Sequence, residues 1–527
     1  MAGTVESVRE EEPLKGVSEE GGVSNDRHCA DGLGVSKLST WRTATFLLSF
    51  FICLIIVFAF SFVLPCPVRP QYQPTWNRIV PAAGLPSPCL FLLAVDGTDG
   101  VTLWERPLAA VYDWAVCGVG GVKTKGKICL VAHTDNLTAV NMHTGVIIWQ
   151  RPRSPVINGH LPVILLPDLD GDGTDDIAVL SYIPPVPPRT PAPTELVFFS
   201  GKSGDVIGLK VNVDAGAVRT HLQVTTPSGA HYLLLCTDGG LYTVGLWRLA
   251  DRAEISMASK LKKENSWEKK PTNISGLIPL YGSGALQHMV VVKGGSGSSS
   301  PSVLLQTAST IMLLNTNTLS ISWTKNTSQL INIPSFGHFN KDGVSDIVLE
   351  ENLGNETKRV VIVDGQTGRE LWAGSLLFGT QSPSPASVLT IYSYSVFMLW
   401  GETRTQSNVT RGISEEWASY LLHPHYSSVL LERRNPVQNI ISFKTALLER
   451  GRHACYLVLS GANGSLTDEA GLGGAEPVVL TKRKIKDDVS QSVVLGVGGP
   501  EGGAIARDME NFVREAFERL RFNEEMI

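Results

Sequence analysis

At 527 residues, the chain is too long for one ordinary hydrophobic core and implies several domains or a repeat array. Its net charge is −5 and only 18% of its residues are charged, which excludes a strongly basic nucleic-acid-binding protein. The 51 glycines and 30 prolines indicate many turns and favour β-structure over helix.

The N-terminal region changes character at residue 44. Residues 1–43 mix acids and bases with almost no large apolar side chains, which predicts a disordered tail. Residues 44–64 carry no charge and form an apolar stretch long enough to cross a bilayer as a helix. A cleaved signal peptide would start nearer the N-terminus and have a shorter apolar core. We therefore predict a transmembrane signal anchor at 44–64 and a juxtamembrane stalk at 65–84.

Glycosylation sequons indicate the orientation of this anchor. All Asn-x-Ser/Thr sequons follow it, namely Asn136, Asn273, Asn326, Asn355, Asn408 and Asn463. The sequence therefore predicts a single-pass type II membrane glycoprotein with a cytoplasmic tail and a large C-terminal part outside the cytosol. We favour the cell surface over internal membranes of the secretory pathway.

An aspartate-rich loop lies between two apolar runs at residues 163–180, VILLPDLDGDGTDDIAVL. Asp168, Asp170, Asp172 and Asp176 occupy positions 1, 3, 5 and 9 of the loop, and Thr174 at position 7 offers a backbone carbonyl. Carboxylates this close repel one another unless a cation lies among them. Oxygen ligands in a flexible loop suit calcium, so we predict a structural calcium ion here.

The loop admits three other interpretations. An EF-hand requires a bidentate Glu at position 12, where this chain has Val179 in a β-prone run. The Asp-x-Asp metal motif of glycosyltransferases needs only two carboxylates and leaves the remaining acids unexplained. An acidic hairpin turn without an ion is the third alternative.

A weaker copy of the loop occurs at residues 336–349, FGHFNKDGVSDIVL. Asn340, Asp342 and Asp346 occupy positions 3, 5 and 9 and are the weaker metal candidates. His338 at position 1 offers nitrogen, which is a poor ligand for calcium. A degenerate turn that retains only the shape of the hairpin is the alternative.

Short strand–turn–strand units recur along the chain, and most of them end in Trp. They are VDGTDGVTLW at 95–104, VNMHTGVIIW at 140–149, FSGKSGDVIGL at 199–209, LNTNTLSISW at 314–323 and VDGQTGRELW at 363–372. The separations Trp104–Trp149 and Trp323–Trp372 match the length of a propeller blade, and quinoprotein-type propellers show a similar turn-Gly-x-x-x-Trp pattern. The sequence predicts an all-β fold, a β-propeller of roughly seven or eight blades at 85–500, with each Trp packed between neighbouring blades.

Two further features flank or interrupt this array. Cys117 and Cys129 enclose a turn-like segment and would face each other across paired strands; a disulfide and two buried free thiols are both open.

At 501–527 a C-terminal amphipathic helix is predicted to dock on the propeller, with a partner-binding or membrane-surface helix as the alternative. Its apolar positions are Met509, Phe512, Val513, Ala516, Phe517 and Leu520.

The spacing of the aspartate loop resembles the FG-GAP calcium loop of integrin α-chain propellers. With the apolar span and the repeats, the chain resembles the integrin-alpha FG-GAP-repeat-containing type II membrane proteins, the family with sequence similarity 234, in particular its A type. This resemblance implies a membrane-anchored propeller whose calcium braces a hairpin without touching a partner. It implies no reaction.

Catalytic motifs do not support an enzyme. The sequence has no Gly-x-Ser-x-Gly elbow, no phosphate-binding glycine loop ending in Lys-Ser/Thr and no His-Glu-x-x-His. We therefore expect a membrane-tethered binding module, receptor-like, adhesion-type or adaptor, for a protein or glycan partner and not for nucleic acid. The alternative is a lumenal metal-dependent glycan-processing enzyme.

Overall fold

A computed structural model describes residues 40–58, 76–80, 90–109, 112–120, 128–133, 136–152, 161–182, 194–282, 286–292, 301–378, 383–405, 414–435, 439–449, 452–461, 478–497 and 507–523. The chain divides into two compact units, residues 1–69 and 70–527. Residues 1–39 of the predicted tail and 59–64 of the predicted anchor lie outside the described residues, as do Asn408 and Asn463.

Helix α1, Thr40–Phe58, is the described part of the first unit. It begins four residues before the predicted anchor, because Thr40 to Thr43 continue the helix without a breaker. Large apolar side chains along it, including Phe46, Phe51 and Ile55, are exposed. Among the described residues, no helix meets the length and hydropathy required to cross a membrane.

The second unit begins with β-strands that include part of the predicted stalk. Strand β1 is Trp76–Val80, and strands β2, Leu90–Val95, and β3, Thr102–Ala109, form an antiparallel hairpin. Strand β1 lies within the predicted stalk at 65–84 and pairs in register with a strand near the C-terminus.

Four antiparallel sheets follow in chain order, each of four strands. The first contains β4 (Tyr112–Val119), β5 (Ile128–His133), β6 (Asn136–Asn141) and β7 (Ile147–Pro152). The second contains β8 (Ile164–Leu166), β9 (Asp176–Tyr182), β10 (Thr194–Phe199) and β11 (Val206–Asn212). The third contains β12 (Val218–Thr225), β13 (His231–Thr237), β14 (Gly240–Gly245) and β15 (Ile278–Tyr281). The fourth contains β16 (His288–Val292), β17 (Ser302–Gln306), β18 (Thr310–Asn315) and β19 (Ser320–Asn326).

The remaining strands complete the array. They are β20 (Ser335–Gly337), β21 (Asp346–Gly354), β22 (Thr357–Val363), β23 (Glu370–Leu377), β24 (Ala386–Leu389), β25 (Ser395–Thr405), β26 (Ser414–Leu422), β27 (Val429–Asn435), β28 (Asn439–Glu449), β29 (His453–Gly461), β30 (Val478–Lys484) and β31 (Val493–Gly496). Strand β23 pairs with β25 at Leu377 and Glu402, and Ser387 Oγ of β24 donates a hydrogen bond of 2.7 Å to the carbonyl of Phe336 in β20.

The helices of this unit lie in connections or after the strands. Helices α2, Leu246–Arg252, and α3, Asn265–Glu268, lie between β14 and β15, together with a 3-10 helix at Ser256–Lys260. Helix α4 is Ile485–Gln491 and helix α5 is Arg507–Glu518. On α5, Val513 and Phe517 are buried in the last core of the array, whereas Met509 and Phe512 are exposed. The predicted apolar face of this helix is therefore only partly covered.

Apolar cores lie between successive sheets, which is the arrangement of a β-propeller. Leu130 of the first four-stranded sheet and Ile177 of the second share one core, and Leu235 of the third packs with Phe198 of the second in another. Each sheet packs both of its faces against its neighbours, so inner strands such as β5 and β18 are buried on both sides.

The two ends of this unit meet in one sheet. Strand β1 pairs with β30 in the order β1–β30–β29–β28, so the first strand completes the sheet formed by the last ones. Lys482 of β30 also donates a hydrogen bond of 2.9 Å to the carbonyl of Gly97 in the β2–β3 turn. These contacts close the array into a ring.

The recurrent Trp and Gly of the repeats form a contact between neighbours. The Trp104, Trp149, Trp323 and Trp372 side chains donate Nε1–H to carbonyls of the next hairpin turn at 2.8–3.2 Å. The Trp149 ring lies against Gly204, where an added Cβ would be 2.6 Å from the ring. Gly145 accommodates the Trp104 ring and Gly368 the Trp323 ring in the same way, which agrees with the predicted packing role of these rings.

Candidate metal centre

The aspartate loop connects β8 to β9, and its last carboxylate lies in the core. Asp168, Asp170 and Asp176 bring carboxylate oxygens within 4.8 Å of one another. Asp170 is exposed, Asp168 is half-buried, and Asp176, the first residue of β9, is fully buried. Three of the four predicted acidic ligands are thus brought together at one point.

Backbone amides of the loop turn inward onto Asp168. Gly171 N donates to Asp168 Oδ1 at 2.6 Å, and Gly173 N donates to Asp168 Oδ2 at 2.9 Å. Both glycines have positive φ, +84° and +86°, which L side chains rarely adopt and which curls the backbone around the carboxylate. These amides stabilise the negative charge of Asp168 but use only part of its capacity, because each oxygen has two lone pairs.

Asp176 is held in the same way by two segments of chain. Its oxygens accept hydrogen bonds from Leu169 N at 2.6 Å and Gly201 N at 3.1 Å. The pKa of Asp176 is raised to about 6, chiefly by burial and to a smaller extent by the charges of Asp170 and Asp168, while its two amide donors act in the opposite direction. A cation among the three carboxylates would offset this cost of keeping them ionised.

The other two predicted ligands are placed differently. Asp172 is not part of the trio, since its Oδ2 accepts a hydrogen bond from Ser200 Oγ at 3.2 Å. Its Oδ1 accepts from Thr174 N at 2.8 Å, and Thr174 is buried at the end of the loop. Asp172 therefore joins the loop to the β10–β11 turn, a role that its spacing alone does not reveal.

The second loop connects β20 to β21 and contains a different trio. Asp342, Asp346 and Asp364 bring their oxygens within 4.8 Å. Asp346 accepts from Phe339 N, Asn340 N and Gly365 N at 2.6, 3.1 and 3.2 Å, and burial raises its pKa to about 6. The Oδ1 atom of Asn340 accepts a hydrogen bond from Asp342 N at 3.2 Å.

Asp364 was missed by sequence reasoning because it lies in another repeat unit. It occupies the turn between β22 and β23, at the position that Ser200 has between β10 and β11. The residue after each one, Gly365 and Gly201, donates to the position-9 Asp of the loop. Aligning the loop with the following Gly-turn unit was the signal that would have found this residue.

His338 explains why the second loop keeps its shape without an acid at position 1. Its Nδ1 lies 3.1 Å from the carbonyl of Val344, the position-7 residue, and as the N–H tautomer it donates to that oxygen. The backbone of His338 exchanges hydrogen bonds with Ser395 at 2.9 and 2.7 Å. The imidazole therefore engages the carbonyl that a calcium ion would need.

The other predicted sites lie on the second unit. Cys117 and Cys129 are paired directly across β4 and β5 and are joined by a disulfide. Among the sequons, Asn273, Asn326 and Asn355 are exposed and Asn136 is half-buried. Exposure of this kind is what an attached glycan requires.

Comparison with known proteins identifies the family. The profile described as "FAM234A/B beta-propeller" matches residues 71–523. The chain belongs to this family. It is 30% identical to "Protein FAM234A" of Rattus norvegicus, over 93% of each chain, and 28% identical to "Protein FAM234B" of Gallus gallus, over 80% of this chain and 74% of the relative.

Among solved structures, the WD40 domain of SCAP from fission yeast matches with a TM-score of 0.42 and 11% identity. The match covers 77% of this chain and 98% of that one. Both FAM234 types match at similar identity, so the comparisons establish the family and its propeller fold, and the finer assignment to the A type stays a prediction.

Proposed function

We propose that this FAM234-family protein is a membrane-anchored binding module, in which α1 belongs to a type II signal anchor and the propeller presents a recognition surface outside the cytosol. The observation that carries the proposal is the combination of exposed apolar side chains along α1 with sequons exposed on the propeller. A rigid ring with variable loops is suited to recognising a protein or glycan.

We also propose eight blades and one structural calcium ion. Within the described strands, seven sets of four and the β2–β3 hairpin support the blade count, with β1 completing the last set. The trio Asp168, Asp170 and Asp176 supports calcium in an FG-GAP-type loop. The amide hydrogen bonds to Asp168 and Asp176 favour a brace for the hairpin over a site that exchanges substrates.

Topology is tested first, on the full chain expressed in cells. Removal of N-glycans by an endoglycosidase should lower the apparent mass, and Asn→Gln changes at Asn273, Asn326 and Asn355 should each remove one glycan. A C-terminal tag should be protected from protease in intact microsomes. Unglycosylated protein with a digestible tag would overturn the type II proposal.

Binding is tested by proximity labelling on intact cells followed by mass spectrometry. The control retains residues 1–75, which end before β1, and lacks the ring, so it reports on the anchor alone. Membrane proteins enriched by the full chain and absent from the control support a binding module. Equal enrichment by the two chains would contradict it.

The glycan-processing alternative has its own signature. Such an enzyme should prefer manganese, turn over a nucleotide sugar and lose activity without unfolding in Asp170→Asn. Manganese-dependent transfer of sugar by the full chain would replace the binding proposal.

A further inference from the structure

The connection between β14 and β15 carries a charged insert on a fixed base. Trp267 of α3 is buried, packs against Tyr232 with the ring centroids 4.4 Å apart, and donates Nε1–H to the carbonyl of Thr316 at 2.8 Å. This contact ties the insert both to its own sheet and to the β18–β19 turn. The charged residues near Trp267 in sequence therefore lie on a segment whose backbone is anchored to the propeller.

The two acids that lie among the lysines of this insert, Glu264 and Glu268, are engaged by neighbouring side chains. Glu268 accepts hydrogen bonds from Tyr232 Oη at 2.7 Å and Trp247 Nε1 at 2.9 Å, and pairs with Arg248 at 3.0 Å. Glu264 accepts from Ser228 Oγ at 2.8 Å and Ser266 Oγ at 3.0 Å. Neither carboxylate neutralises a lysine of the insert.

The lysines form an uncompensated surface, here named the lysine patch. It consists of Lys260, Lys262, Lys263, Lys269 and Lys270, all exposed. Within the described part of the chain, none of them forms an ion pair with an acid, whereas Arg219 pairs with Asp238 and Arg359 pairs with Glu370. Lys263 Nζ lies 3.7 Å from the centroid of the Trp247 ring, which holds one ammonium group in place.

This chemistry fits a flexible polyanion better than a folded protein. Lysine is depleted in the cores of protein interfaces, which rely on aromatic and apolar anchors. Ammonium groups on long stems act as point charges and attract repeated anionic groups, with release of counterions. A chain of net charge −5 that concentrates five unpaired lysines on one insert has a local field opposite to its overall charge.

We propose that the lysine patch binds a sulfated glycosaminoglycan chain. This inference rests on the proposed type II topology, which places the insert outside the cytosol. Anionic lipids of the cytoplasmic leaflet would then lie on the other side of the membrane.

The test uses the full chain in detergent micelles and heparin as the probe. Lys260→Gln/Lys269→Gln/Lys270→Gln leaves the packing of Lys262 and Lys263 unchanged. Lys202→Gln/Lys210→Gln/Lys486→Gln removes the same charge from exposed positions elsewhere and is the matched control. We expect the patch variant to elute from heparin at lower salt, with the slope of log K against log salt smaller in magnitude by about 2. The control should elute close to the wild-type protein.

Several outcomes would overturn the inference. They are equal losses in the two triple variants, no retention of the wild-type protein at physiological salt, equal binding to desulfated heparin, or preferential binding to phosphatidylserine vesicles. Glycosylation and partner enrichment are measured independently of heparin binding. A wild-type protein that is glycosylated and enriches partners but does not bind heparin would therefore refute the glycosaminoglycan proposal and not the binding module.

Discussion

Asp170 and Asp172 are two positions apart in one loop, yet their carboxylates have different neighbours. Asp170 lies in the trio with Asp168 and Asp176, whereas Asp172 hydrogen-bonds to Ser200. We therefore expect millimolar calcium to raise the melting temperature of the wild-type protein, and Asp170→Asn to abolish this rise. For a Kd one hundred-fold below the calcium concentration, the stabilisation would be about 2.7 kcal/mol.

Asp172→Asn is the matched control, because it removes the same charge from the same loop. It should retain most of the calcium-dependent rise, measured by thermal unfolding with and without a chelator. If neither calcium nor chelator changes the melting temperature of the wild-type protein, the assignment of a calcium ion is wrong. If the two variants have equal effects, the assignment of Asp170 and not Asp172 as a ligand is wrong.

The second loop offers a gain-of-binding prediction at His338. The imidazole engages the Val344 carbonyl, so His338→Asp would release that carbonyl and add a carboxylate beside Asp342, Asp346 and Asp364. We expect calorimetry to show one more bound calcium per chain than in the wild-type protein. His338→Asn, which removes the ring without adding charge, should bind no additional ion. An unchanged stoichiometry in His338→Asp would exclude a latent site in this loop.

At the scale of the structural element, the Trp–Gly contact between neighbouring sheets is the feature most open to test. Gly204 has φ +71° and abuts the Trp149 ring, whereas Gly216 has φ +80° and open space where a Cβ would be. Gly216→Ala should cost about 1 kcal/mol through backbone strain alone. Gly204→Ala should cost about 1–3 kcal/mol more, because the ring must also move.

Chemical unfolding of the two variants separates these contributions. If the midpoint falls equally in both, the Trp149 ring adapts freely and the contact does not brace the neighbouring sheets. Restoration of the midpoint by a smaller ring at position 149 would instead confirm that the steric conflict is the cause.

Features that depend on residues close together in the chain could be predicted from the sequence, whereas features that depend on distant contacts could not. Local spacing identified the Trp units, the position-9 Asp of each loop and the facing cysteines, since each depends on residues close in the chain. Asp364, Ser200 and the pairing of β1 could not be found in this way, because they depend on contacts between units or between chain ends. The apolar pattern of α5 indicated a covered face but not that Met509 and Phe512 would stay exposed.

At the scale of the whole molecule, closure of the ring depends on contacts between residues far apart in sequence. Strand β1 completes the sheet of β28–β30, and Lys482 bridges from β30 to Gly97. Lys482 is buried. Hydrogen bonds from Thr98 are the main cause that holds the pKa of Asp96 below its usual range, and the charge of Lys482 lowers this pKa as well. Loop-closure entropy opposes such distant contacts, so each one that forms must be strong enough to keep the ends together.

We expect Lys482→Met to destabilise the contacts that close the ring more than it destabilises the pairing of strands within the other sheets. The change removes the hydrogen bond that the buried Lys482 ammonium donates to the Gly97 carbonyl, which should cost about 1–3 kcal/mol. Hydrogen exchange should then accelerate first in β1 and the β2–β3 hairpin, while amides of β16–β19 keep their protection. Lys482→Arg should restore part of the protection, and Lys210→Met, at an exposed position, should change nothing. Uniform acceleration across all sheets in Lys482→Met would show that the ring unfolds as one unit and that this contact is not a separate closure.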